Sequence, residues 1–266
     1  MSYKNEIEKF VINGYKNTNS NLVTAKHNFV LKNKEENFIT TPKNDFKYHT
    51  WASSLKSSQA YAYNIFSGIK NPTLEFEFSM EVFERAAQID VKLEDLSSNT
   101  IELFEVKAFE ICYIGLNKIQ FENKYFNKGQ YRRVDIADQF IRFLQTVIGN
   151  FKNQRIYGSG IKQLCSHLLG IINTIDKPIF QNKKFKLYSF CLDTEFTSKF
   201  IENLDNYKSA LGSFKIIVAE FLKEIELDSR IEYCGYLSAR DYINKNREII
   251  GKDNYNYVVK RYITHN

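Results

Sequence analysis

Proline and glycine are scarce in this chain, three and eleven among 266 residues, which excludes a collagen-like or loop-dominated polypeptide. Cysteine is equally sparse. Cys112, Cys165, Cys191 and Cys234 lie far apart with no CxxC pair, so a zinc site of the usual spacing is not expected and the four read as reduced thiols. His27 and His49 have no partner at metal-ligand spacing and read as structural or exposed side chains. No apolar run approaches the roughly 20 residues that span a bilayer. The opening MSYKNEIEKF is too charged for a signal peptide. These absences lead to the expectation of a cytoplasmic protein without a membrane segment.

What is present points to a folded chain. Hydrophobic residues make up 43% and aromatics 15%, with 22 Phe and 17 Tyr, enough to fill a sizeable core. The length suits one large domain or two small ones. A formal charge of +6 and a pI near 8.9 are compatible with a polyanionic partner without requiring one.

Along the chain, residues 1–50 combine a short helical start (residues 6–15) with the polar stretches KNTNSN and LKNKEEN, and read as an N-terminal arm or flap. Residues 51–266 read as one compact unit. The pattern predicts a helix over 53–66, a strand over 73–83, a hairpin over 88–111 and helices over 134–148 and 160–172. A strand over 185–192, a long helix over 195–227 with a weak point at Gly212, a strand over 230–237 and a helix over 238–250 capped by Ser238 follow. The C-terminal NYNYVVKRYITHN fits a terminal strand on the sheet, or tyrosines interleaved with Lys260 and Arg261 along a nucleic-acid backbone. The sum is an α/β (α+β) chain.

Chemistry concentrates in IDVKLEDLSSNTIELFEVKAFE, residues 89–110. Two strands joined by a loose turn bring Asp90 beside the second strand. There Glu105 and Lys107, two residues apart, share a face at about 6–7 Å. Leu103 and Phe109 flank them. Opposite charges in a buried strand are costly unless they meet each other, a metal or a substrate. A buried ion-pair network is the bland alternative to a catalytic site.

Asp90 followed fifteen residues later by Glu105-Val106-Lys107 resembles the PD-(D/E)XK nuclease superfamily, although Ile89 stands where that family usually has proline. The helical SSLKSSQAYAYNIF (residues 53–66) upstream and GIKQLCSHLLGI (160–171) downstream strengthen the likeness to a bacterial, restriction-endonuclease-like group. It covers residues 53–173, under half of the chain. The resemblance implies a central mixed β-sheet flanked by helices and a Mg²⁺-dependent endonuclease of the type II restriction kind acting on double-stranded DNA. It implies Asp90, Glu105 and the Val106 carbonyl as metal ligands, and Lys107 as the cation on the attacking water or the transition-state oxygens. Restriction enzymes of this size are often homodimers, an expectation that rests on the resemblance only. A repair or exonucleolytic enzyme of the same fold and a non-catalytic DNA-binding module stand as alternatives.

Other candidates surround this set. Gln59 lies on the stripe of Leu55, Ala62 and Phe66, and either bonds buried backbone or orients a metal-bound water or scissile phosphate. Gln163 and His167, four apart on the later helix, stand on one face beside its buried stripe. Gln163 matches the resembled post-strand helix, while His167 reads as a boundary histidine. Glu75, Glu77, Glu81 and Glu84 are candidates for a third carboxylate, and Glu110 falls on the opposite face of an extended strand. Lys124, Lys128, Arg132 and Arg133 lie where the chain leaves the site and are candidates for DNA contact, or for an ordinary solvated loop.

Overall fold

The computed structural model describes residues 3–19, 29–43, 45–112, 119–194 and 198–264. His27 and residues 113–118 lie outside them. Five strands form one mixed sheet in sequence order: β1 (Glu75–Glu81), β2 (Ala86–Asp95), β3 (Thr100–Lys107), β4 (Lys184–Cys191) and β5 (Ile231–Ser238). β1, β2 and β3 pair antiparallel, as short turns dictate, while β4 and β5 lie parallel to β3 and to each other after helical crossovers. The expected α/β architecture, a mixed sheet between helices, is what the chain adopts.

The central position of β3 explains its composition. All of TIELFEVK except Glu102 is buried, because helices cover both faces. On one face, Phe104 and Phe190 meet Phe66 of α2 (Ser58–Phe66) at ring-centroid distances of 5.0 and 5.4 Å. Tyr242 of the short helix α6 (Ala239–Lys245) closes the same cluster. The other face carries Leu103, Glu105 and Lys107 toward α4 (Gly158–Thr174) and the 27-residue α5 (Ser198–Glu224). An outer helix, α3 (Ala137–Phe151), stacks Phe143 on Phe221 of α5 at 4.6 Å. Gly170 lets α4 sit close to the sheet, since a Cβ there would come within 2.8 Å of the Met80 Cβ. That close approach brings His167, one turn earlier, over β3.

Several boundaries differ from the sequence reading. The helix expected from residue 53 begins at Ser58, with Ser57 as its N-cap accepting from the Ala60 N–H. Gly212 does not interrupt α5; a Cβ there would meet nothing within 4 Å, so the position is open and the packing of Leu211 and Phe214 carries the helix through. The C-terminal stretch is not a strand. Gly251, at φ 85°, ends the short helix α7 (Arg247–Ile250), and α8 (Lys252–Val258) follows, running into a wider turn over Val259–Ile263. Val258 and Tyr262, four apart, are buried together on one helical face.

The described part of residues 1–50 is not a detached arm. Ile7, Val11 and Tyr15 of α1 (Tyr3–Lys16) are buried in the main core, and Asn37 is buried between Ala52 and Ser54, donating to both carbonyls at 2.6 and 2.7 Å. None of the described helices is long and apolar enough to cross a membrane.

Candidate active site

The β2–β3 ladder is regular from Asp95↔Thr100 to Val91↔Phe104 and stops there. One residue further on, Asp90 faces Glu105, and the Asp90 side chain takes over from the backbone: Oδ2 accepts the Val106 N–H at 2.6 Å. In a strand the N–H and C=O of one residue point to the same side. The Val106 carbonyl is thus also turned toward Asp90, past the end of the ladder. Strands β3, β4 and β5 finish at this end of the sheet, the usual position of ligand crevices in open α/β folds.

Glu105 and Lys107 project together toward α4, as their spacing demands. Lys107 Nζ donates to Glu105 Oε1 at 2.5 Å and His167 Nε2 donates to Glu105 Oε2 at 2.7 Å. The exposures are 3% for Glu105, 4% for Lys107 and 2% for His167. Burial alone would raise the Glu105 carboxyl, but Lys107 and His167 overcome it and hold the group at about 2. Burial would likewise lower the Lys107 ammonium, and Glu105 with Asp90 raises it instead. Asp90 moves the other way: burial and the nearby Glu105 push its carboxyl well above the usual range, against Lys107, with Glu77 adding to the rise.

The sign of the Glu105 shift gives a testable pH dependence. A depressed carboxyl stabilises the fold above its unfolded value, near 4.5, and that contribution is lost as pH falls toward about 2. Urea melts across that window should show the wild type losing stability with a steeper slope than Glu105→Gln. Equal slopes would mean that Glu105 is not held by these partners.

Of the four candidates for a third carboxylate, Glu77 is the one at the site. The pairs Phe76↔Val91 and Phe78↔Ile89 bracket it directly across from Asp90. Its φ is 56°, a left-handed conformation that is costly for a side chain in mid-strand, by about 1–3 kcal/mol. The twist changes which side the strand presents: Phe76 packs on Tyr63 of α2, whereas Met80 packs under Gly170 of α4. It also delivers the Glu77 carboxylate to Gln59 Nε2 at 3.1 Å and to His49 Nε2 at 2.9 Å. Glu75 pairs with Lys92 at 3.1 Å, Glu81 with Lys177 at 3.3 Å and also with Arg132, and Glu84 is exposed.

The remaining candidates divide. Gln59 is buried and bonds backbone, the first of its two readings, through the Lys47 carbonyl and the His49 N–H at 2.9 Å each; it also donates to Glu77, the acid beside Asp90. His167, read as a boundary residue, bonds Glu105. Gln163 is exposed and has no hydrogen bond to Asp90, Glu105 or Lys107 among the described residues. Glu110 accepts from the Ala108 N–H at 2.8 Å in the turn after β3. Lys124, Lys128 and Arg133 are held by Glu122, Asp138 and the pair Asp135 and Asp176 at 2.5–2.9 Å, and Arg132 by Glu81. Cys165 and Cys191 are buried free thiols and Cys234 is a half-buried one. His49 was the signal missed in the sequence, because its partner lies 28 residues away on a strand whose twist no pattern announces.

Among the described residues, no group of three or more His, Cys, Asp or Glu side chains is arranged to hold a metal ion. The groups at β2–β3 are nevertheless of the kind a hard cation takes: Asp90 has a second carboxyl oxygen, the Val106 carbonyl lies on the strand side turned toward β2, and Asp90 is a raised carboxyl whose charge a cation would restore. Each Glu105 oxygen already accepts one hydrogen bond, from Lys107 and from His167, and retains a second lone pair. Comparison with family models, with curated proteins and with solved structures gives no match to this chain in any of the three.

Proposed function

We propose that this chain is a Mg²⁺-dependent deoxyribonuclease of the PD-(D/E)XK kind, cutting double-stranded DNA as a type II restriction-like endonuclease. The observation that carries the reading is the Asp90 bond to the Val106 N–H. It sets the aspartate against β3 where Glu105 and Lys107 leave the sheet, in a buried position where desolvation and then the nearby Glu105 push its carboxyl up. Asp90, Glu105 and the Val106 carbonyl would hold the ion. When bound, it would polarise the phosphate and lower the pKa of the attacking water. Lys107 supplies a permanent cation where negative charge develops on the phosphoryl oxygens. Its burial in a low-dielectric pocket strengthens that effect. His167, with Lys107, keeps Glu105 ionised. The formal charge of +6 favours approach of the polyanion.

A non-catalytic DNA-binding module is favoured by one observation, the engagement of both Glu105 oxygens within the protein. Incubation of supercoiled plasmid with the purified protein separates the readings. Discrete fragments in Mg²⁺, absent in EDTA, are expected. Smearing would indicate an exonucleolytic or repair enzyme of the same chemistry, and intact plasmid with retained DNA binding would indicate the binding module.

A further inference from the structure

We propose that His49, held by Glu77, is the proton donor to the leaving oxygen of the phosphodiester. The inference rests on the nuclease reading above and adds a residue pair that the Asp90, Glu105 and Lys107 set does not contain. Three neighbouring strands place Glu77, Asp90 and Glu105 in one row across the end of the sheet. Lys107 lies on the β3 side of Asp90 and the His49–Glu77 pair on the β1 side. Phosphoryl transfer needs the attacking and leaving oxygens on opposite sides of phosphorus, and a row with a cation at one end and an acid at the other suits that demand.

The local geometry supports a working imidazole. Glu77 Oε2 accepts from His49 Nε2 at 2.9 Å, and Gln59 Nε2 fixes the other Glu77 oxygen at 3.1 Å, so Nδ1 is left as the nitrogen that can face substrate. The His49 side chain is 46% exposed and that of Glu77 is 9% exposed, a buried carboxylate behind an accessible ring. His49 also lines a groove of about 560 Å³ with Trp51, Lys56 and Glu110, room for the departing strand. The positive φ at Glu77 turns β1 from one packing face to the other and in the same turn aims its carboxylate at His49, and strain of this kind gathers at functional sites. The groups that act on His49 are Glu77 from β1 and Glu105 and Lys107 from β3, with Lys56 and Glu110 across the groove. The bond to Glu77 leads in raising its imidazole above the ordinary value, against burial and Lys107. In the step, water oxygen bonds to phosphorus and its proton passes to solvent. The bond from phosphorus to the leaving oxygen breaks with its electron pair on that oxygen, which takes the Nδ1 proton. Neutral His49 then regains a proton from solvent.

The test compares two duplexes at a cleavage site mapped from plasmid fragments, one natural and one with a bridging sulfur in place of the leaving oxygen. Sulfur departs without a proton, so His49→Gln should lose about a hundredfold or more on the natural duplex and run close to wild type on the sulfur duplex. Glu77→Gln should move the alkaline limb of the wild-type rate profile to lower pH, and should move the His49 imidazole titration, followed by NMR, the same way. Equal loss on both duplexes, no loss on either, or an unmoved limb and titration would overturn the inference while leaving the nuclease reading intact. If His49→Gln does not fold, the Glu77→Gln profile and titration decide. A wild type that cleaves neither duplex nor plasmid would instead sink the nuclease reading.

Discussion

Lys107→Met is expected to lose at least about two to three orders of magnitude in cleavage rate, the usual cost of removing one group that stabilises transition-state charge. It should also destabilise the fold by about 3–5 kcal/mol, because Glu105 is then buried with His167 as its remaining partner. The sequence alone suggests that Lys107→Ala would abolish cleavage and leave folding largely unchanged; the 4% exposure of Lys107 adds the second effect. The two effects come apart in a double variant. Glu105→Gln with Lys107→Met removes both charges, and removing a buried pair together is often close to neutral. Urea melts should therefore recover most of the lost stability while cleavage stays absent. A double variant that regains activity along with stability would mean that the pair only holds the fold.

The second large effect lies far from β3. Arg261 is 2% exposed, and among the described residues no carboxylate bonds it. Its guanidinium donates to the Asn37 carbonyl at 2.8 Å, to the Asn37 side-chain oxygen and to the Tyr257 hydroxyl, and lies over the Tyr15 and Tyr262 rings at 5.2 and 5.0 Å. Arg261→Ala leaves a cavity and several orphaned acceptors, at a cost of about 3–5 kcal/mol. At this chain length the melting temperature should fall by roughly 10 °C. Arg261→Lys should recover little, since a point charge cannot reproduce the planar fork. Asn37 in turn holds the Ala52 and Ser54 carbonyls just before α2, where Gln59 sits, so the loss should also slow cleavage at temperatures where the fold persists. A variant melting within a degree or two of wild type would show that the two ends of the chain are not joined through this side chain.

The sheet was legible because its strands carry plain signals: alternation in Ile89, Val91 and Leu93, and unbroken apolar character in the central strand. Asp90, Glu105 and Lys107 were legible for the same reason, since register follows from a short hairpin. Gln163 and His167 show where spacing stops helping. Residues four apart on a helix differ by about 40° around the axis, and the edge of the buried face falls between these two. The C-terminal segment misled because tyrosines spaced for a helix also read as alternation. Glu77 and His49 left no pattern at all. Their contact depends on a positive φ at a glutamate, a cost that local preference argues against and that Gln59 and His49 offset through tertiary bonds.

The most direct measurement is plasmid cleavage in Mg²⁺ by Asp90→Asn beside the wild type. Asparagine can keep the bond from the Val106 N–H while giving up the negative charge, so the variant should melt no lower than the wild type. Wild type converting supercoiled DNA to linear fragments, with Asp90→Asn leaving it supercoiled, is the predicted result. Cleavage by Asp90→Asn at the wild-type rate would contradict the account.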